Sequence, residues 1–296
     1  MKVFLDNEKE ILADLERQYT QALADVKRKI AELKGREVTD SITYQLGYQY
    51  QLEEQLSAVL GELQNGTIGS ITDYLNRNYT DGVITANYEL MKQGIPLVLP
   101  IDHDAVLFSV SKRIEGMDFA DRIGTNMDAF KQKMKDEIAR GMAGGLSYAE
   151  IARNISSVTT ESLNSAYRIA RTEGGRVQSE SRYAAARYAQ EKGADIVNQW
   201  SAALDSRTRE THQHLDGEIR EIDEPFESSG HKALYPRGFG APAEDINCRC
   251  VLLTRARWAL DEETRTRMAE VDGVKQLIEA KNYKEYKEKY LDVTKQ

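Results

Sequence analysis

The chain has 296 residues, 41% of them hydrophobic and 30% charged, and no apolar run approaches the roughly 20 residues that a membrane-spanning helix requires. A formal net charge of -8 speaks against wholesale nucleic-acid binding, which draws its affinity from clustered Lys and Arg, and leaves room only for a local basic patch. The 2 cysteines, Cys248 and Cys250, cannot build a disulfide framework, and the opening MKVFLDNEKEILADLE lacks the apolar core of a secretory signal, so the reading is synthesis in a reducing cytoplasm.

From Asp6 to Gly35, the positions Leu12, Leu15, Tyr19, Ala22, Val26, Ile30 and Leu33 recur at intervals of three and four. That is the stripe of one amphipathic helix, with Asp6 as its N-cap and Gly35 as its stop. The stripe packs within the subunit or against another chain. A second helix is expected from Asp40 to Gln64, ending at Asn65-Gly66, and a third from Ser70 to Gln93. The stretch GIPLVLPID, residues 94 to 102, reads as a loop or edge strand because proline cannot donate to a ladder. His103, between Asp102 and Asp104, reads as a solvated turn residue.

Ser147 and Glu150 have the spacing of a capping box and open a helix over residues 144 to 155. The next helix is expected from Thr159 or Thr160 to Lys192, stopping at Gly193. Its apolar stripe (Leu163, Ala166, Ala170, Val177, Ala184, Tyr188) also contains Glu173, with Arg171 nearby. A carboxylate on such a face must be paired or neutralised.

After Gly193 the period changes to two, and DIVNQW (195 to 200), GEIREID (217 to 223) and CRCVLLT (248 to 254) read as short strands. Between the first two, a helical turn or two starts at Asp205 or Ser206 and stops at Gly217. Residues 224 to 247 show no period, and an irregular segment of that length inside a compact domain is usually functional or clamped. The chain is then expected to end in helix, with Tyr283, Tyr286 and Tyr290 on one face as a partner-docking stripe or as packing against the chain's own N-terminal helices.

In a helical reading, Asp205, Arg209 and His212 share a face, so Asp205 can bond Arg209, while His214 is rotated by roughly 200° from His212. In an extended reading both histidines point one way, as do Cys248 and Cys250, and only that version offers four zinc ligands. Structural zinc sites favour Cys-x-x-Cys knuckles over Cys-x-Cys, so the expectation is buried thiols and no stoichiometric zinc or other cofactor. A nucleophilic Cys248 would need His212 or Arg249 as neighbour. Arg249 points away from the two cysteines, toward one of Glu173, Asp205 or Asp216. The segment LSYAEIARNISSVTTESLNSAYRIARTE, with Arg168 and Arg171, admits a helix-turn-helix reading that the acidic composition opposes.

Together, ARTEGGRVQSESR, WSAALDSRTRETHQHLDGEIREIDEPF and YPRGFGAPAEDINCRCVL resemble the Mu F-like minor head proteins of tailed bacteriophages, the head morphogenesis family. The matching positions are Arg171, Thr172 and Glu173, then Asp205, Arg209, His212, Asp216 and Gly217, then Pro242, Asn247, Cys248, Arg249 and Cys250. His214 and His231 do not map onto that pattern. The resemblance implies a minor capsid component of the virion, in the head interior or portal region, that contacts the portal and other capsid or scaffold proteins during procapsid assembly or DNA delivery. Contact with packaged DNA stays open. The resemblance extends to members that carry toxin or transferase domains after this module, and none is expected within the residues beyond Cys250.

The expected fold is therefore α+β and mostly α. A helical region spans 1 to 140, a module with a long helix on a small antiparallel sheet spans 141 to 257, and a helical tail spans 258 to 296. Arg171, Glu173, Asp205, Arg209, His212, Asp216, Asn247 and Arg249 are expected to form an internal polar network, with no catalytic residue. The alternative is a hydrolase or transferase using His212 with Cys248, or a metal held by His and Cys.

Overall fold

The computed structural model describes residues 2–33, 42–114, 116–143, 146, 148–260 and 266–291. The expected stop at Gly35, the helix start at Asp40 and the Ser147 half of the capping box lie outside the described residues. None of the described helices is long and apolar enough to cross a membrane. The chain divides into two compact units, one of Met1–Tyr74 with Arg113–Arg171, the other of Leu75–Lys112 with Thr172–Gln296.

The first unit is helical. Helix α1 covers Lys2–Leu33, α2 Ile42–Lys92, α4 Phe119–Ala143 and α5 Tyr148–Glu191, with α2 and α5 each continuing into the second unit. On α1 the buried positions are Phe4, Asn7, Ile11, Leu15, Tyr19, Ala22, Val26 and Ile30, so the expected stripe is present from Leu15 to Ile30 with Ile11 in place of Leu12, while the Leu33 side chain lies outside the described residues. Asp6 is no N-cap, because the helix has already begun at Lys2. Leu60 and Ile71 of α2, Ile123, Met127 and Phe130 of α4, and Ile155 and Ala166 of α5 complete this core. Tyr19 stacks on Phe130 with ring centroids 6.4 Å apart, and its hydroxyl lies 3.4 Å from Ser162 Oγ.

The expected break at Asn65-Gly66 is overturned: α2 is continuous. Helical glycine costs about 1 kcal/mol relative to alanine, but here its missing side chain is used. A Cβ on Gly66 would stand 2.7 Å from Gln18 Oε1 of α1. The expected turn before Thr159 is likewise absent, since α5 runs unbroken through it, which removes the helix-turn-helix reading.

In the second unit, α3 (His103–Val110), unforeseen in the sequence, follows the extended segment after Gly94. Asp102 caps it by accepting from the Asp104 N–H at 3.0 Å. Strands β1 (Ile196–Ser201), β2 (Ile219–Arg220) and β5 (Val251–Ala256) make an antiparallel sheet in the order β2-β1-β5, with Trp200 opposite Leu252. Leu90 of α2 and Tyr183, Ala186 and Ala189 of α5 cover it.

The segment from 224 to 247, expected to be irregular, contains a small hairpin of β3 (Phe226–Ser228) and β4 (His231–Ala233) and the short helix α7 (Pro242–Asp245). The helical tail is also overturned. After β5 the described chain forms the hairpin β6 (Thr266–Val271) and β7 (Val274–Glu279), and only then the short α8 (Tyr283–Tyr286) and one further turn. Tyr283 and Tyr286 are 5% and 1% exposed and pack with Leu204, Ala269, Ile278 and Ala280, with Tyr290 against the same cluster. These tyrosines belong to the core of their own unit, through the hairpin and not through the N-terminal helices.

Candidate functional site

Every component of the site lies in the second unit. Asp205 starts a tight turn, its Oδ1 accepting from Arg207 N at 3.0 Å, and α6 (Glu210–Leu215) follows. Since α6 begins only at Glu210, Asp205 is not on its face and does not bond Arg209, contrary to the helical reading. Helical phase then separates the histidines: His212 is 2% exposed, whereas His214 is exposed. Asn247, at φ +56°, turns the chain out of α7 so that Cys248 and Cys250 enter the core just before β5, at 3% and 1% exposure.

His212 is the hub. Its Nε2 lies 2.9 Å from Glu244 Oε2, and its Nδ1 lies 3.4 Å from Cys250 Sγ and 3.5 Å from Cys248 Sγ. Glu244 Oε2 also accepts from Ser228 Oγ at 3.0 Å. The rings of Trp200 and Phe239 enclose the imidazole, with centroids at 5.8 and 6.3 Å. Arg237 Nη1 donates to the carbonyls of Cys250 at 3.2 Å and Gly175 at 3.1 Å.

Burial favours neutral His212, yet Cys248 and Glu244 on its two nitrogens outweigh this and raise its pKa. Burial also works against ionised Glu244, but the Ser229 and Ser228 hydroxyls and His212 hold its carboxyl below the usual range. The Cys250 thiol beside Cys248, aided by His212 and Arg237, brings Cys248 well below an ordinary thiol. Burial, with the Cys248 sulfur close by, pushes Cys250 up.

The expected network is several separate pairs. Arg249 forks onto Asp205, one arm at 2.7 Å, and this holds the Asp205 carboxyl down to about 2. Arg209 donates to the Glu244 and Ile246 carbonyls and so fastens α6 to α7. Asp216 accepts both arms of Arg267 at 2.8 Å, tying α6 to β6. Glu173 is buried as expected, but its partner is Arg176 at 2.8 Å, not Arg171. Arg171 lies in the first unit and meets Glu8 at 3.0 Å. Asn247 is exposed and contributes its backbone, donating to Thr172 Oγ1 at 3.3 Å.

Glu244, Arg237, Arg176 and Arg267 have no part in the sequence reading. Glu244 stands beside an equally acidic Asp245, and nothing in the sequence says which of them meets His212.

Residues 132–253 match the family model described as Phage Mu protein F like protein. Among curated relatives, an NAD(+)--arginine ADP-ribosyltransferase EFV of Enterococcus faecalis is 34% identical over 239 residues, 79% of this chain and 49% of that protein. The Minor head protein GP7 of Bacillus phage SPP1 is 37% identical over 150 residues, 50% of this chain and 48% of that protein. The chain spans about half the length of these two relatives. No solved structure matches it significantly.

Proposed function

We propose, from the match of residues 132–253 to the Phage Mu protein F like model, that the chain is a structural minor head protein of a tailed phage or prophage. It acts in head morphogenesis, is carried in the virion, and contacts the portal and other capsid proteins during assembly or DNA delivery. It is not itself an enzyme.

One observation carries the non-enzymatic half of this reading. The groups best suited to chemistry, His212, Cys248 and Cys250, are 2%, 3% and 1% exposed, walled by Trp200, Phe226 and Phe239. A nucleophile must meet its substrate within hydrogen-bond reach, and these face one another instead. The motif positions of the module serve the same end: Asp205 with Arg249, Arg209 with two carbonyls, and Asp216 with Arg267 each bind one segment of chain to another. The transferase activity in the name of the enterococcal relative belongs to a protein of which this chain covers 49%.

Two assays test the reading. Purified virions should contain the protein, and disrupting its coding sequence should lower the yield of filled heads. The purified chain with NAD+ and an arginine acceptor should transfer no ADP-ribose. Normal heads without the protein would overturn the structural half, and NAD+-dependent transfer would overturn the non-enzymatic half.

A further inference from the structure

Cys248, Cys250 and His212 converge on one point, with Sγ, Sγ and a ring nitrogen all within 4.8 Å of one another and all three residues buried. Among the described residues no fourth His, Cys, Asp or Glu joins them. Glu244 approaches from the opposite side and holds Nε2 at 2.9 Å. Donating Nε2–H to a carboxylate leaves the Nδ1 lone pair directed at the sulfurs, and this is the arrangement that orients a metal-binding histidine. We propose that His212 Nδ1, Cys248 Sγ and Cys250 Sγ bind a thiolate-seeking d10 cation, zinc in the first place, that clamps α6 and the chain entering β5 together.

Three features support the site. With Zn–S near 2.3 Å and Zn–N near 2.0 Å, a tetrahedral angle places S and N about 3.5 Å apart. The observed separations are 3.4 and 3.5 Å. Next, one lone pair on Nδ1 accepts one S–H, not two, whereas a cation there uses the nitrogen and both sulfurs at once. Finally, Trp200 Nε1–H lacks a hydrogen-bond partner of ordinary geometry among the described residues and lies in the same buried cluster as Cys248 and Cys250. It would serve a metal-bound thiolate as a donor.

The expectation of no zinc rested on two premises. The loss of His214 holds, but Cys-x-Cys is no obstacle, because both sulfurs reach the same histidine nitrogen. Arg249 faces away to Asp205, while Cys248 and Cys250 face His212. A monovalent copper ion is content with three protein ligands, and a tetrahedral zinc ion would take one enclosed water as its fourth. The proposal does not depend on the head-protein reading, and a metal titration is indifferent to it.

The test uses the full chain, reduced and stripped of metal, titrated with Co2+ as an optical reporter of sulfur ligation, with Zn2+ as competitor, and anaerobically with Cu+. The expected result is a thiolate-to-cobalt charge-transfer band saturating at about one equivalent per chain and erased by Zn2+. The band should be absent in Cys248→Ser and in Cys250→Ser and retained in His214→Gln, and the thermal midpoint should rise on adding Zn2+. One equivalent of Cu+ bound through sulfur, with no Zn2+, upholds the site and assigns it to the monovalent ion. Absence of sulfur ligation by either ion in the wild-type chain overturns the proposal, and that readout needs no variant to fold. Metal binding that survives both cysteine substitutions overturns it as well, because the ion then sits elsewhere.

Discussion

Asp216→Ala is the sharpest test of how the Asp-Gly motif works. The Asp216 side chain is fully buried and Arg267 is 10% exposed. Oδ1 accepts from Ala202 N at 2.7 Å and from Arg267 Nη2 at 2.8 Å, while Oδ2 accepts from Nη1 at 2.8 Å. Removing one partner of a buried ion pair costs roughly 3 to 5 kcal/mol, and orphaning a buried N–H roughly 1 to 3 kcal/mol. These losses overlap. Arg267 also keeps the Ala202 carbonyl at 2.7 Å and Ser201 Oγ at 3.2 Å. The expected net loss is about 3 to 4 kcal/mol, or roughly 6 to 16 °C in midpoint at the slope typical of units of this size. Urea and thermal unfolding measure it. Adding Arg267→Met to Asp216→Ala should return much of the loss, because no charge is then left buried. A loss below about 1 kcal/mol, or strictly additive effects in the double variant, would refute the reasoning.

Asp205 titrates at about 2 in the folded chain against 3.8 when free, so its pair with Arg249 stabilises fully above about pH 4 and is lost as pH falls toward 2. Allowing for the 37% exposure of the Arg249 side chain, the effect is about 1 to 2 kcal/mol, and acid unfolding of Asp205→Asn should lack that component. Glu173→Ala should cost less than the full price of a buried pair, since Arg176 retains Glu180 at 2.8 Å and the Ser109 carbonyl at 2.7 Å; a urea midpoint lowered as far as in Asp216→Ala would contradict this. A chain ending near Lys275 should aggregate or unfold, and Tyr286→Ala should cost roughly 3 to 5 kcal/mol, because Tyr286 is core; a shortened chain with an intact cooperative melt would show otherwise. On Gly82 an added Cβ would stand 1.8 Å from Ser181 Oγ and 3.1 Å from its Cβ, so Gly82→Ala should destabilise by about 1 to 3 kcal/mol, with recovery in a Ser181→Gly background.

What periodicity alone determined was mostly helical. The α1 stripe, the long helix carrying Glu173 on its apolar face, and the three segments that became β1, β2 and β5 were all legible, since burying one face imposes a period on the chain. Helical phase likewise separated His212 from His214 without any coordinates. Partner choice was not legible. Arg249 had three carboxylates to choose from, Glu173 took Arg176 over Arg171, and Glu244 met His212 in place of its neighbour Asp245. Each of those outcomes depends on contacts between segments that no local pattern encodes. Two dipeptides show the division most clearly. Asp272-Gly273, at φ +52° and +77°, forms the tight turn of the β6–β7 hairpin that a helical reading of the tail overlooked. Asn65-Gly66, which carries the same local turn signal, stays inside α2, where Gln18 of α1 occupies the space next to Gly66. A turn signal states only what the backbone is free to do; the packing around it decides whether the chain bends.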